Sequence, residues 1–211
     1  MEPDSKIREG VSLKKHRIAV VVLAAGLSSR MGGQHKLRLP LRDGRTVLEH
    51  AVDRAASWQP AQLVVVLQPE ATDLAEALAG LPVQVVANPD YASGMSSSLR
   101  VAVSALSEQV AAVLVLLGDQ PSIDGAIIAS LLQAYEEEGR DITIPVYGDV
   151  AGPPTLFTRA VFPELVALSG DEGGRQVVRK DPSRVSRVAL PAHSMPPDID
   201  TVEDYARYMK Q

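Results

Sequence analysis

The chain has 211 residues, an apolar fraction of 45% and a formal net charge of −5. This length suits one α/β domain with a sizeable buried core, and the negative balance argues against a general nucleic-acid binder, which would carry a basic face. The absence of cysteine from the sequence excludes disulfides, thiolate metal sites and a cysteine nucleophile.

Residues 1–16 are polar and lack periodicity, which predicts a flexible N-terminal tail before a single domain at residues 17–211. They contain no apolar segment of secretory length, and no other segment approaches the ~18 apolar residues needed to span a bilayer. We therefore expect a soluble, cytoplasmic protein without a membrane partner.

Short segments rich in valine and leucine at residues 18–24, 63–67 and 112–117 predict strands that are buried on both faces. Less regular segments at residues 82–86 and 141–146 predict two further strands. Helices are predicted at residues 46–57, 70–79, 96–107 and 124–138, with Thr46 as the N-cap of the first. In the final third, only helices near residues 159–167 and 202–210 are predicted.

This alternation of strands and helices predicts a three-layer, Rossmann-like α/β fold, with a mostly parallel twisted sheet between two layers of helices. Ligands of such sheets bind beyond the carboxyl ends of the strands. We therefore expect the functional residues in the loops that follow residues 24, 86, 117 and 146.

The loop after the first strand reads LAAGLSSRMGGQHK over residues 23–36. Gly26, Gly32 and Gly33 would let backbone amides approach an anion, and Arg30 and Lys36 supply charges that match phosphate oxygens. A flexible turn with basic side chains facing solvent would have a similar composition. The sequence contains neither the Gly-Lys pair of a P-loop nor the G-x-G-x-x-G pattern of a Rossmann fingerprint.

Two acidic segments also lie in loops. Asp119 follows the apolar strand at residues 112–117, where a carboxylate can bind Mg²⁺ together with substrate phosphates, or can simply form a turn. The segment DIDTVED at residues 198–204 precedes the last helix. Thr201 and Glu203 suit a helix cap there, which is compatible with a metal-binding role for a neighbouring aspartate.

The AAGLSSRMG loop with Lys36, GDQP at residues 118–121, GMSSSLR at residues 94–100 and DIDT at residues 198–201 closely resemble motifs of the nucleotidyltransferases related to molybdenum cofactor maturation. The resemblance extends over most of the chain. It implies that Arg30, Lys36 and Asp119 are catalytic and that Mg²⁺ is held by Asp119 and Asp200, with Asp200 preferred to Asp198. The nucleotide-binding residues that it implies are Leu23, Ala24, Ala25, Gly26, Arg30, Lys36, Asn88, Gly94 and Ser96.

The acceptor side of the predicted site lies in the second half of the chain. Residues 145–157 resemble the segment lining the family's second-substrate pocket, which implies acceptor contacts for Tyr147 and Gly152. The cytidylyltransferase branch often carries Gly-His-Pro where this chain has GPP at residues 152–154, so an imidazole is missing. The segment LSGDEGGR at residues 168–175 adds Asp171 and Arg175, although a polar surface turn would explain it almost as well.

In the related enzymes, Ala-Ala-Gly in the first loop accompanies cytidine and Gly-Gly accompanies guanine, so Ala24 and Ala25 indicate CTP. The resemblance implies transfer of CMP from CTP to the phosphate of molybdopterin carrying molybdenum, with release of pyrophosphate and with a molybdoenzyme or its chaperone as a further partner. The alternatives are a nucleotidyltransferase of the same fold that uses GTP or a sugar phosphate, and a non-catalytic nucleotide- or cofactor-binding chaperone.

Overall fold

The computed structural model describes residues 17–28, 30–31 and 35–210, so the predicted tail at residues 1–16 and the loop glycines Gly32 and Gly33 lie outside the described residues. The strands are β1 (Ile18–Leu23), β2 (Gln62–Leu67), β3 (Gln84–Ala87), β4 (Ala112–Leu117), β5 (Ile142–Tyr147), β6 (Val150–Ala151), β7 (Thr155–Thr158) and β8 (Val185–Leu190). The α-helices are α1 (Val47–Ala56), α2 (Thr72–Ala77), α3 (Met95–Ser104), α4 (Gly125–Glu138), α5 (Phe162–Val166), α6 (Arg175–Lys180) and α7 (Val202–Tyr208).

One 8-stranded sheet runs through the protein in the order β3-β2-β1-β4-β7-β5-β6, and β8 pairs with the other side of β5. Strands β1 to β4 are parallel to one another, whereas β7 is antiparallel to both β4 and β5. Strand β8 is parallel to β5 over its whole length, from Val185 beside Ile142 to Leu190 beside Tyr147. The predicted mostly parallel α/β fold is confirmed.

The core forms on both faces of the sheet because successive residues of each central strand point to opposite sides. Val20 and Val22 pack beneath α1, α2 and α4, whereas Ala19 and Val21 pack beneath α3, α5 and α6. All of β1 except its last residue is buried. A strand covered on both faces has to be apolar throughout, which explains why its sequence shows no alternation.

The predicted Thr46 cap is confirmed, because its hydroxyl accepts a hydrogen bond from Glu49 N while the Glu49 carboxylate accepts one from Thr46 N. At the last helix Thr201 is the cap, but its reciprocal partner is Asp204 rather than the predicted Glu203. The reason is register: α7 begins at Val202, so the third helical position is Asp204.

The last third contains elements that the sequence did not predict, namely β6, β7, β8 and α6. The helix predicted at residues 159–167 is a 3₁₀ turn (Arg159–Val161) followed by the short helix α5. Among the described residues, no helix combines the length and the apolar character required to cross a membrane.

Candidate nucleotide, metal and acceptor site

The loop after β1 is held at the carboxyl edge of the sheet by its two neighbouring strands. Ala24 N donates a hydrogen bond to Val66 O at 2.9 Å, and Gly118 N donates to Leu23 O at 2.9 Å. The Gln68 side chain supports the next turn by donating to the carbonyl oxygens of Ala25 and Gly26. The beginning of the predicted phosphate loop is therefore anchored to both β2 and β4.

Farther along this loop, Ser28 adopts a positive φ of 51° and its hydroxyl accepts a hydrogen bond from Lys36 N at 3.3 Å. Lys36 opens a 3₁₀ turn (Lys36–Arg38) that is fixed by the buried Leu37. Arg30 remains 75% exposed at its side chain, whereas the Lys36 side chain is only 14% exposed. The two basic residues therefore differ: Lys36 is positioned by the fold, and the Arg30 side chain is largely exposed to solvent.

Lys36 joins the two acidic segments. Its Nζ donates to Asp119 Oδ2 at 2.5 Å and to Asp200 Oδ1 at 2.6 Å. Asp119 follows β4, and its carbonyl oxygen accepts a hydrogen bond from Ile199 N, which ties the segment before α7 to the carboxyl end of β4. Arg30 also approaches Asp200, with 3.5 Å between Arg30 Nη1 and Asp200 Oδ2. The structure thus brings Arg30, Lys36, Asp119 and Asp200 together. We refer to Lys36, Asp119 and Asp200 as the metal cluster, because the two aspartates are the ligands predicted for Mg²⁺.

The charges in this cluster influence one another. Burial by itself would lower the pKa of Lys36, but the charges and hydrogen bonds of Asp119 and Asp200 outweigh it, and the Lys36 pKa is raised. Protein atoms around the Asp198 carboxyl exclude water, and with the negative charge of Asp119 they raise the Asp198 pKa. Asp198 accepts a hydrogen bond from Gln120 Nε2 at 2.6 Å and forms no hydrogen bond or ion pair with Lys36.

The fit of this cluster to a divalent cation can be judged from its oxygen atoms. Asp119 Oδ1 is buried and has no hydrogen-bond partner among the described residues, and an ammonium group already lies between Asp119 and Asp200. Within residues 17–28, 30–31 and 35–210, no group of three or more His, Cys, Asp or Glu forms a metal site. The two carboxylates suit a hard cation that takes its remaining ligands from phosphates and water.

The predicted nucleotide residues Asn88 and Ser96 are placed inside the protein. Asn88 Nδ2 donates to the hydroxyls of Ser97 and Ser98 at 2.8 and 2.9 Å, and Asn88 Oδ1 accepts from Asp90 N. Ser96 is fully buried, and its hydroxyl has no described partner. These contacts join the end of β3 to the start of α3. A direct nucleotide contact for either side chain remains a prediction.

Gly94 lies just before α3 with a φ of 104°, and a Cβ at this position would lie 2.7 Å from Gly170 O. The loop at residues 169–174 consequently packs directly on the start of the helix: Ser96 N donates to Gly170 O, and Met95 N donates to Asp171 Oδ1 at 3.2 Å. Asp171, which the sequence suggests as an acceptor ligand, therefore satisfies a free amide at the N-terminus of α3.

The predicted acceptor residues Tyr147 and Gly152 lie next to each other but have different surroundings. Tyr147 is 2% exposed, packs in the core beneath α4, and donates its hydroxyl to Pro153 O at 2.8 Å. Burial raises the Tyr147 pKa, so its hydroxyl stays protonated. Gly152 instead lines a cavity of about 270 Å³. The structure therefore gives Tyr147 a role in positioning the segment 152–154 rather than an open surface for an acceptor.

That cavity contains the remaining acceptor candidate, Arg175. It lies on the sheet face covered by α3 and α6, and it begins at Leu23 and Leu117, the last residues of β1 and β4. The apolar side chains that line it also include Leu99, Val115, Ile144 and Phe157. The predicted acceptor side is thus an apolar cavity next to the metal cluster, with arginine side chains at its wall.

Comparison with known proteins assigns this arrangement to a family. A family model described as the MobA-like NTP transferase domain matches residues 20–186. The chain belongs to this family. The predicted family is therefore confirmed at the level of a MobA-like NTP transferase.

The proteins to which this chain is similar carry different names. The nicotine blue oxidoreductase of Paenarthrobacter nicotinovorans is 31% identical over 197 residues, which are 90% of this chain and 95% of that protein. The crystal structure of an Rv0371c homologue from Mycobacterium sp. strain JC1 has a TM-score of 0.82 at 33% identity, covering 93% of this chain and 96% of that one. A manganese complex of Rv0371c from Mycobacterium tuberculosis H37Rv has a TM-score of 0.75 at 32% identity, covering 92% of this chain and 98% of that one.

The structure of this MobA-like transferase also brings residues to the site that the sequence did not single out. Gln68 supports the first loop, Gln120 donates a hydrogen bond to Asp198 beside the metal cluster, and Arg187 of β8 lines the cavity. Gln68 follows β2 and Gln120 follows β4, so their positions at the ends of strands could have indicated that they lie near the site. Arg187 carried no such signal, because its strand was not predicted.

Proposed function

We propose that this protein is a metal-dependent nucleotidyltransferase that transfers CMP from CTP to the phosphate of molybdopterin carrying molybdenum. The observation that carries the proposal is the contact of Lys36 Nζ with both Asp119 and Asp200 at the carboxyl edge of the sheet. This edge is where ligands bind in open α/β sheets. Family membership and the manganese complex of the relative Rv0371c support the same reading.

The reaction needs little proton chemistry from the protein. An oxygen of the acceptor phosphate attacks the α-phosphorus of the nucleotide, a P–O–P bond forms, and the bond to the leaving pyrophosphate breaks. The nucleophile is already ionised, so catalysis consists of positioning and charge neutralisation. Lys36 and Arg30 would hold the phosphate oxygens. Asp119 and Asp200 would hold Mg²⁺ or Mn²⁺, which supplies charge neutralisation when bound.

The proposal of CTP rests on the resemblance of the first loop to that of the related enzymes that use cytidine. Ala24 and Ala25 are both buried, and the Ala25 carbonyl is already engaged by Gln68. GTP as the nucleotide and a sugar phosphate as the acceptor are the alternatives within the same fold.

The direct test measures pyrophosphate release with CTP and GTP in turn, with Mg²⁺ or Mn²⁺, and with molybdenum-loaded molybdopterin or a sugar phosphate as acceptor. Nucleotide analysis of the product identifies the group transferred. We expect turnover with CTP and molybdopterin, and its loss in Asp119→Asn. Nucleotide binding without pyrophosphate release from any acceptor would instead support a non-catalytic binding protein.

The oxidoreductase name of one relative adds a further control. No two glycines of this sequence stand two positions apart, so the G-x-G-x-x-G fingerprint for a dinucleotide is absent from the whole chain. Absorbance at 340 nm, followed with NADH and NADPH in the same assay mixtures after addition of an electron-accepting dye, should not change. A protein-dependent decrease would overturn the assignment of the site to nucleotidyl transfer alone.

A further inference from the structure

The cavity beside the metal cluster has an apolar wall and a charged one. The apolar wall comes from the sheet and α3, and includes Leu99, Val115, Ile144 and Phe157. The charged wall comes from α6, from the loop before it and from β8, and includes Glu172, Arg175, Arg179 and Arg187. We refer to this cavity, with these eight residues, as the arginine cavity.

The arginines of the cavity differ in their partners. Arg179 forms an ion pair with Glu172. The guanidinium groups of Arg175 and Arg187 form no hydrogen bond or ion pair with any residue in the described part of the chain, although both line the cavity. After the Arg179–Glu172 pair is set aside, two arginines without an ionic partner line this space, and both are also exposed to solvent.

The position of Arg187 is fixed by strand register. Val115 pairs with Thr155, and Ile144 pairs with Arg187. Because Thr143 pairs with Leu156 in the antiparallel pair of β5 and β7, Ile144 lies opposite Thr155. These residues therefore lie at one level across β4, β7, β5 and β8. Three strand spacings separate β4 from β8, which is roughly 14 Å. Arg187 is thus well removed from Asp119, which follows β4. A ligand that reached both would span the cavity.

The position of Arg175 is fixed by the close approach of the loop before α6 to the cavity floor. A Cβ at Gly174 would lie 2.6 Å from Phe157 Cζ, so only glycine allows this packing. Arg175 is the first residue of α6 and follows directly. One unpaired guanidinium group is therefore carried by a helix packed against the sheet, and the other by a strand of the sheet.

We propose that the arginine cavity binds the acceptor, and that this acceptor carries an apolar or aromatic body and a second anionic group, separate from the phosphate that reacts. Arg175 and Arg187 bind the second anion, and the apolar wall contacts the body. This inference rests on the proposed transferase function. It disfavours sugar phosphates, whose bodies are polar throughout, because burying unpaired hydroxyls against leucine, isoleucine and phenylalanine is costly.

A pair of fluorescent probes tests this chemistry without nucleotide, metal or acceptor. The first probe is 8-anilinonaphthalene-1-sulfonate, which has an aromatic body and one anion. The second is N-phenyl-1-naphthylamine, which has the same rings without the sulfonate. We expect Arg187→Gln and Arg175→Gln each to weaken sulfonate binding about tenfold, because a charge-assisted contact is lost, and to leave binding of the neutral probe within about twofold.

Two further variants locate the probe. Ala151→Trp adds bulk at an exposed residue of the cavity rim and should weaken binding of both probes. Arg54→Gln, on the exposed part of α1, removes the same charge elsewhere and should change neither. The proposal is overturned if Arg187→Gln and Arg175→Gln leave sulfonate binding unchanged, if they weaken both probes equally, or if Ala151→Trp has no effect. Unchanged circular dichroism and thermal midpoints establish that each variant is folded.

Steady-state kinetics separate this proposal from the transferase assignment. With an acceptor that supports pyrophosphate release, Arg187→Gln should raise the acceptor KM about tenfold and leave the KM for the nucleotide unchanged. Full activity with an acceptor that has no second anion, together with an unchanged acceptor KM in Arg187→Gln, would disprove the cavity proposal while the transferase function stands. The reverse outcome, in which probe binding behaves as expected but no acceptor releases pyrophosphate, would disprove the function alone.

Discussion

The metal cluster and the arginine cavity both lie near the carboxyl end of β4, but their charged groups differ: those of the cluster are paired, and two arginines of the cavity are not. In the metal cluster Lys36 is already held by Asp119 and Asp200, so an incoming cation or phosphate has to replace existing contacts. In the arginine cavity Arg175 and Arg187 have no partner among the described residues, so an anion can bind without breaking an ion pair. We therefore expect a ligand to bind the metal cluster by replacing existing ion pairs. We expect an anion to bind the arginine cavity by charge complementarity, without breaking an ion pair.

The largest expected effect is on kcat and comes from a substitution in the metal cluster. Asp119→Asn keeps the shape of the side chain but removes its charge, and we expect kcat to fall roughly a thousandfold, because neutralisation of phosphate charge carries most of the catalysis. Pyrophosphate release measures the effect. Asp53→Asn, an exposed change on α1, serves as the control and should be neutral. Near-normal turnover of Asp119→Asn would falsify the assignment of this carboxylate to the metal.

Lys36→Met tests the exchange of partners. Because the ammonium group is lost, kcat should fall on the order of a hundredfold. In the absence of nucleotide, however, Mn²⁺ should bind more tightly, since no cation competes for Asp119 and Asp200. Isothermal titration with Mn²⁺ checks this second effect. Lys180→Met, which removes an exposed lysine that pairs with Glu164, provides the control. Weaker Mn²⁺ binding in Lys36→Met would show that the lysine does not compete with the metal.

Gly94→Ala perturbs the cavity side and leaves the metal cluster unchanged. Position 94 has a φ of 104°, and a Cβ would meet Gly170 O at 2.7 Å. The backbone strain alone should lower the free energy of unfolding by roughly 1–3 kcal/mol, and the clash should add to it. Urea denaturation measures the loss. Gly80→Ala has a similar φ of 93° but open space around its Cβ, so it should cost less. Equal losses in the two variants would mean that the contact with Gly170 is unimportant.

The smallest expected effect concerns pH. Burial, reinforced by the nearby Arg38, lowers the pKa of His35 below its ordinary 6.5, and no described residue hydrogen-bonds to either ring nitrogen. The unfolded chain therefore binds a proton more readily than the folded one, and stability contributed by His35 is lost as pH falls below 6.5. Urea unfolding at pH 7.5 and pH 5.5 should show a smaller loss in His35→Gln than in the unmodified protein. His193→Gln, at an exposed position, should resemble the unmodified protein.

The central part of the sheet and the position of Asp119 at its carboxyl edge could be predicted from sequence for the same reason. Strands such as β1 are buried on both faces and are apolar throughout, so their composition alone is informative. Asp119 directly follows such a strand, and parallel strands place their carboxyl ends at one edge. Strand β8, with Arg187 in its centre and several exposed residues, lacks that composition. It is a strand because β5 offers a partner along its whole length.

Local sequence alone was sufficient for the apolar strands and the Thr46 cap, because each depends on composition or on spacing within a short segment. The grouping of Lys36 with Asp119 and Asp200 came instead from the family resemblance, since these residues are 83 and 164 positions apart from Lys36 in the chain. Tertiary structure alone decided which side chains line the cavity that we propose for the acceptor. Tyr147 lies next to the correct segment but points into the core, and Arg187 is distant in sequence but lies on the cavity wall. The direction in which a strand side chain points depends on strand register and pairing. Register is set by contacts between residues far apart in the chain.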